Sequence, residues 1–221
     1  MKNIITFSGW GQNFDALENI APGAKHIDYR DFQNVDEVFS TIKNNPCDIL
    51  IGWSLGGQLA LRAIEAGILS PKLLILLATP FQFVMGKGLK CGVDIDTFSV
   101  FENNFIKDQA KVMAQFALLV AKNDNKSKEI IKILNANNKD NLKNWLFWLE
   151  ELGSFSCQKV DFSKMPKTIA IHGRDDAVVD ATQTSLFRPL IKNYHVERID
   201  DCGHAPHLHD PELIKKIIAA A

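Results

Sequence analysis

Ser54 stands between two glycines in the run Gly52-Trp53-Ser54-Leu55-Gly56, where an apolar stretch, Ile49-Leu50-Ile51, gives way to a small-residue helical pattern. A serine hydroxyl is a poor nucleophile alone, so chemistry there needs a base, and an acid to orient that base. Two later stretches supply both in a workable order. Arg174-Asp175-Asp176-Ala177 follows one apolar run, and Asp201-Cys202-Gly203-His204 follows another. His204 is the better base because Gly203 leaves it close to a strand end. The acid is Asp175 or Asp176. Serine, aspartate and histidine acting together transfer acyl groups: the imidazole takes the hydroxyl proton, and the oxygen attacks a carbonyl carbon.

The spacing around Ser54 has a geometric reading. A serine on a sharp strand-to-helix turn is held in a strained conformation that lifts its hydroxyl above the sheet. The residues two before and two after are then pressed together and must be small, as Gly52 and Gly56 are. The following helix directs free amides at the site, so the Leu55 N–H can bind a developing oxyanion. A second donor belongs in the loop Phe7-Ser8-Gly9-Trp10-Gly11, where the Trp10 amide is the candidate and its indole forms a wall or packs in the core. The bland reading is chance, since this five-residue pattern arises in roughly one chain in ten to twenty at a glycine usage of ~7%. A strand before it and a helix after it weigh against chance.

These residues require a particular scaffold. Short, continuously apolar runs at 3–7, 25–29, 48–52, 72–78 and 167–172 read as parallel strands covered on both faces, and the more polar 195–200 as an edge strand. Helical patterns follow at 34–44, 55–67, 182–191 and 211–220. The alternation predicts a mostly parallel α/β sheet of about six strands with helices on both faces. About eighty residues separate Thr79 from Lys167, too many for a structureless loop. Helical patterns at 96–122, 126–137 and 140–151 predict an inserted lid over 81–159, leaving 1–80 and 160–221 as the body. The Leu142/Trp145/Leu146/Trp148/Leu149 stripe packs on the body or walls a pocket. His207 and His209 read as surface or pocket-rim residues, and His26 and His172 as structural or exposed.

A chain of 221 residues, 46% hydrophobic, with a formal charge of −1, holds one sizeable core and has no overall electrostatic case for nucleic acid or anionic membrane. No apolar run reaches the ~18 residues of a membrane span, and the N-terminus lacks a signal-peptide core. Cys47, Cys91, Cys157 and Cys202 show no C-x-x-C spacing, which argues against zinc or a disulfide framework and suits a cytoplasmic protein. No metal or cofactor is expected, and a monomer is.

Four stretches together, FSGWGQ, GWSLGGQLAL, HGRDDAVV and GHAPH, resemble the α/β-hydrolases that cleave pimeloyl-acyl-carrier-protein methyl ester in biotin synthesis. The resemblance implies an α/β-hydrolase fold with Ser54 as nucleophile, Asp176 rather than Asp175 as acid, His204 as base, and the Trp10 and Leu55 amides as oxyanion donors. In the mechanism expected here the lid, with Phe116 and the Trp145/Trp148 stripe, covers an extended acyl chain and excludes water. Three departures stand out. Ser8 replaces the family's histidine, the N-terminal hairpin of the fold is missing (hence six strands rather than eight), and the lid has no arginine for the carrier. Lys111, Lys128 and Lys132, with Gln115, occupy the corresponding positions. Lysine keeps the charge but loses bidentate phosphate geometry, and a plain solvated face is the alternative. The expected protein is a serine carboxylesterase. Its rivals are a thioesterase, lactonase or small-ester esterase with the same residues, and a relative that only binds a ligand.

Overall fold

The computed structural model describes residues 2–13, 15–30, 32–86, 88–137 and 144–221. Strands β1 (Ile4–Phe7), β2 (Lys25–Ile27), β3 (Ile49–Trp53), β4 (Leu73–Leu77), β5 (Lys167–Gly173) and β6 (Tyr194–Ile199) form one six-stranded sheet in the order β2-β1-β3-β4-β5-β6. Every pairing is parallel. The central β3 and β4 are buried at every position, as their unbroken apolar runs demand. β6 is half-buried and lies at the edge. The chain leaves β1 for β2 on one side and then crosses back to β3 on the other. The switch point of the sheet therefore lies between β1 and β3, where open α/β sheets leave a crevice at the strand C-termini. The Trp10 loop follows β1 and Ser54 follows β3, so the topology brings them to that crevice.

Among the helices of the body, α1 (Asp15–Glu18) is a single turn, and α2 (Val35–Ile42) turns Val35, Val38, Phe39 and Ile42 inward. Asn34 caps α2, accepting from the Glu37 amide at 2.9 Å, and the Glu37 carboxylate reaches back to accept from the Gln33 amide, one residue before the cap, at 2.8 Å. α3 (Leu55–Glu65) packs on the sheet directly after β3. α8 (Thr184–Phe187), α9 (Pro206–His209) and α10 (Pro211–Ala219) complete the described body helices. The segment 182–191 is shorter than its pattern predicts, a 3₁₀ turn at Ala181–Gln183 followed by α8. Pro189 explains this, because it can neither donate an amide nor let its predecessor continue a helix freely.

Between β4 and β5 lie α4 (Ile95–Lys107), α5 (Gln109–Val120), α6 (Ser127–Asn137) and α7 (Trp145–Ser154). The single helix expected at 96–122 is two. Asp108 adopts φ −153°, ends α4, and accepts the Lys111 amide at 3.0 Å to cap α5. Residues 140–143 of the last expected helix, Leu142 included, lie outside the described residues. Among the described residues, no helix is long and apolar enough to cross a membrane. All the cysteines are free thiols.

Candidate active site

Ser54 adopts φ 53° and ψ −119°, a strained conformation for a residue with a side chain. The surroundings enforce it. A Cβ on Gly52 would lie 2.5 Å from the Gly56 carbonyl oxygen, and one on Gly56 would lie 2.3 Å from the Phe7 carbonyl oxygen. The Ser54 amide donates to Leu77 O at 2.8 Å and its carbonyl accepts from Gly57 N at 2.9 Å, which pins the turn between two strands and the new helix. Ser54 offers α3 no side-chain cap, so its hydroxyl is not committed to the helix. Leu55 is the first residue of α3, and its amide is among those a helix leaves without an internal partner.

The loops after β5 and β6 bring Asp176 and His204 together. Asp176 Oδ2 lies 2.8 Å from His204 Nδ1, and both side chains are buried. Asp176 Oδ1 accepts from the amides of Val178 at 2.8 Å and Val179 at 2.9 Å. Burial alone raises the Asp176 carboxyl, but the charge and hydrogen bond of His204 and the hydrogen bond of His172 outweigh it and hold the group below the usual carboxylate range. An ionised Asp176 can only accept, so the proton sits on Nδ1 of His204 and the lone pair on Nε2. That buried Nε2 has no hydrogen-bond partner among the described residues. Asp175 is exposed and takes no part in this pair; its carbonyl accepts from Asn123 Nδ2 at 3.1 Å.

Three histidines stand where the residue types alone do not place them. His172 is buried with Nε2 2.9 Å from Asp176 Oδ2 and 2.9 Å from Val179 O. A carbonyl only accepts, so Nε2 carries a proton and the acid is held by two imidazoles. Its place two residues after buried Ala170 on β5 was the available signal. His207 and His209 are not rim residues: both are buried, because α9 folds inward. The His207 ring packs on Trp53 at 4.4 Å, and neither of its nitrogens has a partner among the described residues. Burial, with a smaller contribution from the charge of His204, pushes it down to about 3. His26 is structural, bridging Thr6 and Glu18 at 2.6 Å each. Trp53, the residue before Ser54, donates its indole N–H to His204 O at 2.8 Å and so links the Ser54 turn to the His204 loop.

Trp10 occupies the second position of a turn closed by Gln12 N to Gly9 O at 3.2 Å, with Gly11 at φ 75° where such a turn needs a glycine. Its own amide is not used by that turn. Ser8 Oγ donates to Gln12 O at 2.8 Å and Tyr29 Oη donates to Ser8 O at 2.7 Å, so Ser8 braces the loop. The Trp10 indole both packs and forms a wall: it donates to Trp145 O at 2.8 Å, meets the Phe116 ring edge-on at 5.0 Å, and lines an apolar cavity of about 280 Å³. Phe101, Phe116, Leu149 and Val178 also line the cavity. The Trp145/Trp148 stripe does not cover it. Trp145 packs on Trp10, and Trp148 on Tyr29 at 4.8 Å, while Leu149 and Leu152 of α7 face the space. Lys111 is exposed on α5, and Lys128 and Lys132 are exposed on α6.

The model of the alpha/beta hydrolase family matches residues 4–216. A pimeloyl-[acyl-carrier protein] methyl ester esterase of Wigglesworthia glossinidia brevipalpis is 28% identical over 98% of this chain and 92% of its own length. The biotin biosynthesis bifunctional protein BioHC of Teredinibacter turnerae is 27% identical over 76% of this chain, a match spanning 32% of that longer protein. An esterase from Exiguobacterium antarcticum has the same fold at a TM-score of 0.80 and 16% identity, covering 100% of this chain and 91% of that one. A bromoperoxidase from Bacillus anthracis has it at 0.81 and 16% identity, with the same coverage. With its six-stranded parallel sheet and a family match that runs nearly end to end, the chain belongs to the alpha/beta hydrolase family.

Proposed function

We propose that this carboxylic ester hydrolase cleaves the methyl ester of an acyl chain attached to an acyl carrier protein, with Ser54 as nucleophile, His204 as base and Asp176 as its orienting acid. The observation that carries the reading is the Asp176–His204 pair, which leaves Nε2 of a buried imidazole as the free base in a fold that lifts Ser54 above the sheet. His204 Nε2 takes the Ser54 proton as Oγ bonds to the ester carbon. The oxyanion rests on the Trp10 and Leu55 amides. The carbon–methoxy bond then breaks, and methoxide leaves as methanol with the proton from His204. Water, deprotonated by the same nitrogen, attacks the acyl-enzyme; Ser54 recovers its proton and the free acid departs.

Substrate class follows from the surroundings and the relatives. An apolar cavity of about 280 Å³ sits at the small end of the ~300–1,000 Å³ usual for such sites and suits one unbranched chain. Helices α4–α7, over 81–159, act as the lid above it. Relatives whose names specify a pimeloyl carrier-protein methyl ester support the carrier, and Lys111, Lys128 and Lys132 are the cations offered to it. A thioester or small free ester is the second reading, favoured by a lid without arginine. Comparing hydrolysis of methyl pimeloyl carrier protein, free methyl esters and acyl thioesters separates them. Reversing the lysines to Glu should raise KM for the carrier-bound ester most strongly at low salt and leave the free ester unchanged. Equal hydrolysis of free and carrier-bound esters, with no effect of the lysines, would contradict the carrier.

A further inference from the structure

His204 is held at both ends, and only one end is explained by the acid. Its backbone amide donates to Val120 O at 3.0 Å, at the C-terminus of α5. The neighbouring Gly203 amide donates to Asp124 Oδ2 at 2.9 Å, and Asp201 O accepts from Asn125 N at 3.0 Å. The stretch 120–126 between α5 and α6 therefore runs hydrogen-bonded along the loop that carries the base. Contact is close enough that a Cβ on Gly203 would lie 2.8 Å from Val120 O. Asn123 at φ 65° and Asp201 at φ 53°, one on each side of this seam, both adopt the left-handed backbone that asparagine and aspartate tolerate.

Asp124 is the hub. Its side chain is fully buried, and besides Gly203 it accepts from Lys126 N at 2.8 Å and from His209 Nδ1 at 3.0 Å through Oδ1. Lys126 Nζ in turn donates to His209 O at 2.6 Å. Cys202 Sγ brings a thiol, an imidazole and this carboxylate within 4.8 Å, a set of metal-binding types. Three N–H donors already point into the carboxylate, however, and burial raises the Cys202 thiol, so hydrogen bonding accounts for the cluster without a cation.

We infer that Asp124 is a positioning residue for His204: through Gly203 it fixes the base loop against the end of α5, the helix whose Phe116 lines the apolar cavity. The inference rests on the reading of His204 as the base. It assigns the α5–α6 turn to the catalytic centre, so any opening of the helices above the cavity leaves 120–126 in place. His209 serves by holding the second oxygen of Asp124.

The test compares wild type with Asp124→Ala, Asp124→Asn and Ser54→Ala, using p-nitrophenyl butyrate and counting competent sites by titration to completion with a fluorophosphonate. Turnover is expressed per titrated site, so loss of folded protein does not register. Asp124→Ala should lower kcat per site about 10- to 100-fold, the scale of a misplacement near 1 Å, with KM within about twofold. Fluorophosphonate labelling should slow by a similar factor, since it needs the same base. Asp124→Asn, isosteric, can keep the Oδ1 contacts but sets an NH2 donor against the Gly203 N–H, so it removes the contact to the base loop and should also lower kcat per site at least about 10-fold. If Asp124→Ala does not fold, the asparagine variant decides on the same readout. Unchanged kcat per site in the folded variants overturns the inference. Turnover surviving in Ser54→Ala would instead overturn the reading of the reaction itself, and the two failures are distinguishable.

Discussion

α3 begins at a serine that gives its first turn no side-chain cap, yet buries nine of its eleven residues; α4 begins at a well-placed aspartate and buries one of thirteen. In α4 the Asp94 side chain accepts from the amides of Asp96 at 2.9 Å and Thr97 at 3.3 Å, while Ile95, Val100 and Ile106 are each more than half exposed. One helix is fixed by its surroundings, so its N-terminus is free for chemistry and can hold Ser54 at an unfavourable φ. The other is fixed by its own ends and only leans Phe98 and Phe101 over the cavity. Burial is concentrated around the Ser54 turn, and self-capping in the helix that lines the cavity.

The largest effect should come from the rigid side. Asp176→Asn should lower turnover about a thousandfold or more by losing the imidazole's orientation, whereas Asp175→Asn, at an exposed residue, should change it little. Equal losses in a p-nitrophenyl ester assay would show that the wrong acid has been assigned. Next comes Gly56→Ala. Its Cβ would meet the Phe7 and Ser8 carbonyls at 2.3 and 2.4 Å, both backbone atoms that cannot step aside. Thermal or urea unfolding should report a loss on the order of 3–5 kcal/mol, with the Trp10 loop displaced as well. A near-normal midpoint would mean that α3 is less tightly seated than its burial indicates.

Smaller is the effect at His207, a buried imidazole with no hydrogen-bond partner among the described residues and pushed down to about 3. Unfolded, it takes up a proton near ~6.5; folded, it stays neutral. The unfolded state therefore binds more protons as pH falls from about 6.5 towards 3, and stability declines across that window. His207→Phe should stabilise the protein by about 1 kcal/mol at neutral pH and flatten the decline in stability below pH 6.5. An unchanged pH slope in denaturant titrations would contradict this. Smallest in its global effect, Asp94→Ala should cost about 1 kcal/mol locally, confined to α4. Hydrogen exchange should quicken in its first turn while the global midpoint scarcely moves; an equal global loss would erase the contrast between the two helices.

How much of this was legible in the residues differs by region for the same physical reason. Fully buried strands announce themselves as unbroken apolar runs, and the Ser54 turn by glycines that admit no side chain, so the sheet and the chain order of a serine, an aspartate pair and a histidine could be read directly, while the choice of Asp176 over Asp175 needed the family resemblance. Where tertiary contacts decide, the pattern was silent. The strand pattern places His172 inside but not on Asp176, since the two, four residues apart, meet across a loop rather than along a helix. His207 and His209 look like polar rim residues until α9 folds them against Trp53 and Asp124. The break at Asp108 was readable as an aspartate three residues before Lys111, but continuous apolar spacing on either side masked it. Of the two readings of the α7 stripe, packing holds for the tryptophans, which meet Trp10 and Tyr29, and the pocket wall falls to Leu149 and Leu152.

The central claim is that Ser54 is the nucleophile of an acyl-enzyme. It is tested most directly by treating wild type and Ser54→Ala with a fluorophosphonate, locating the label by peptide mass, and measuring ester turnover in parallel. The account predicts one label per wild-type chain on the peptide containing Ser54, none on the variant, and turnover in the variant lower by at least about a thousandfold with the thermal midpoint retained. A label on another residue, or near-normal turnover without the Ser54 hydroxyl, would contradict it.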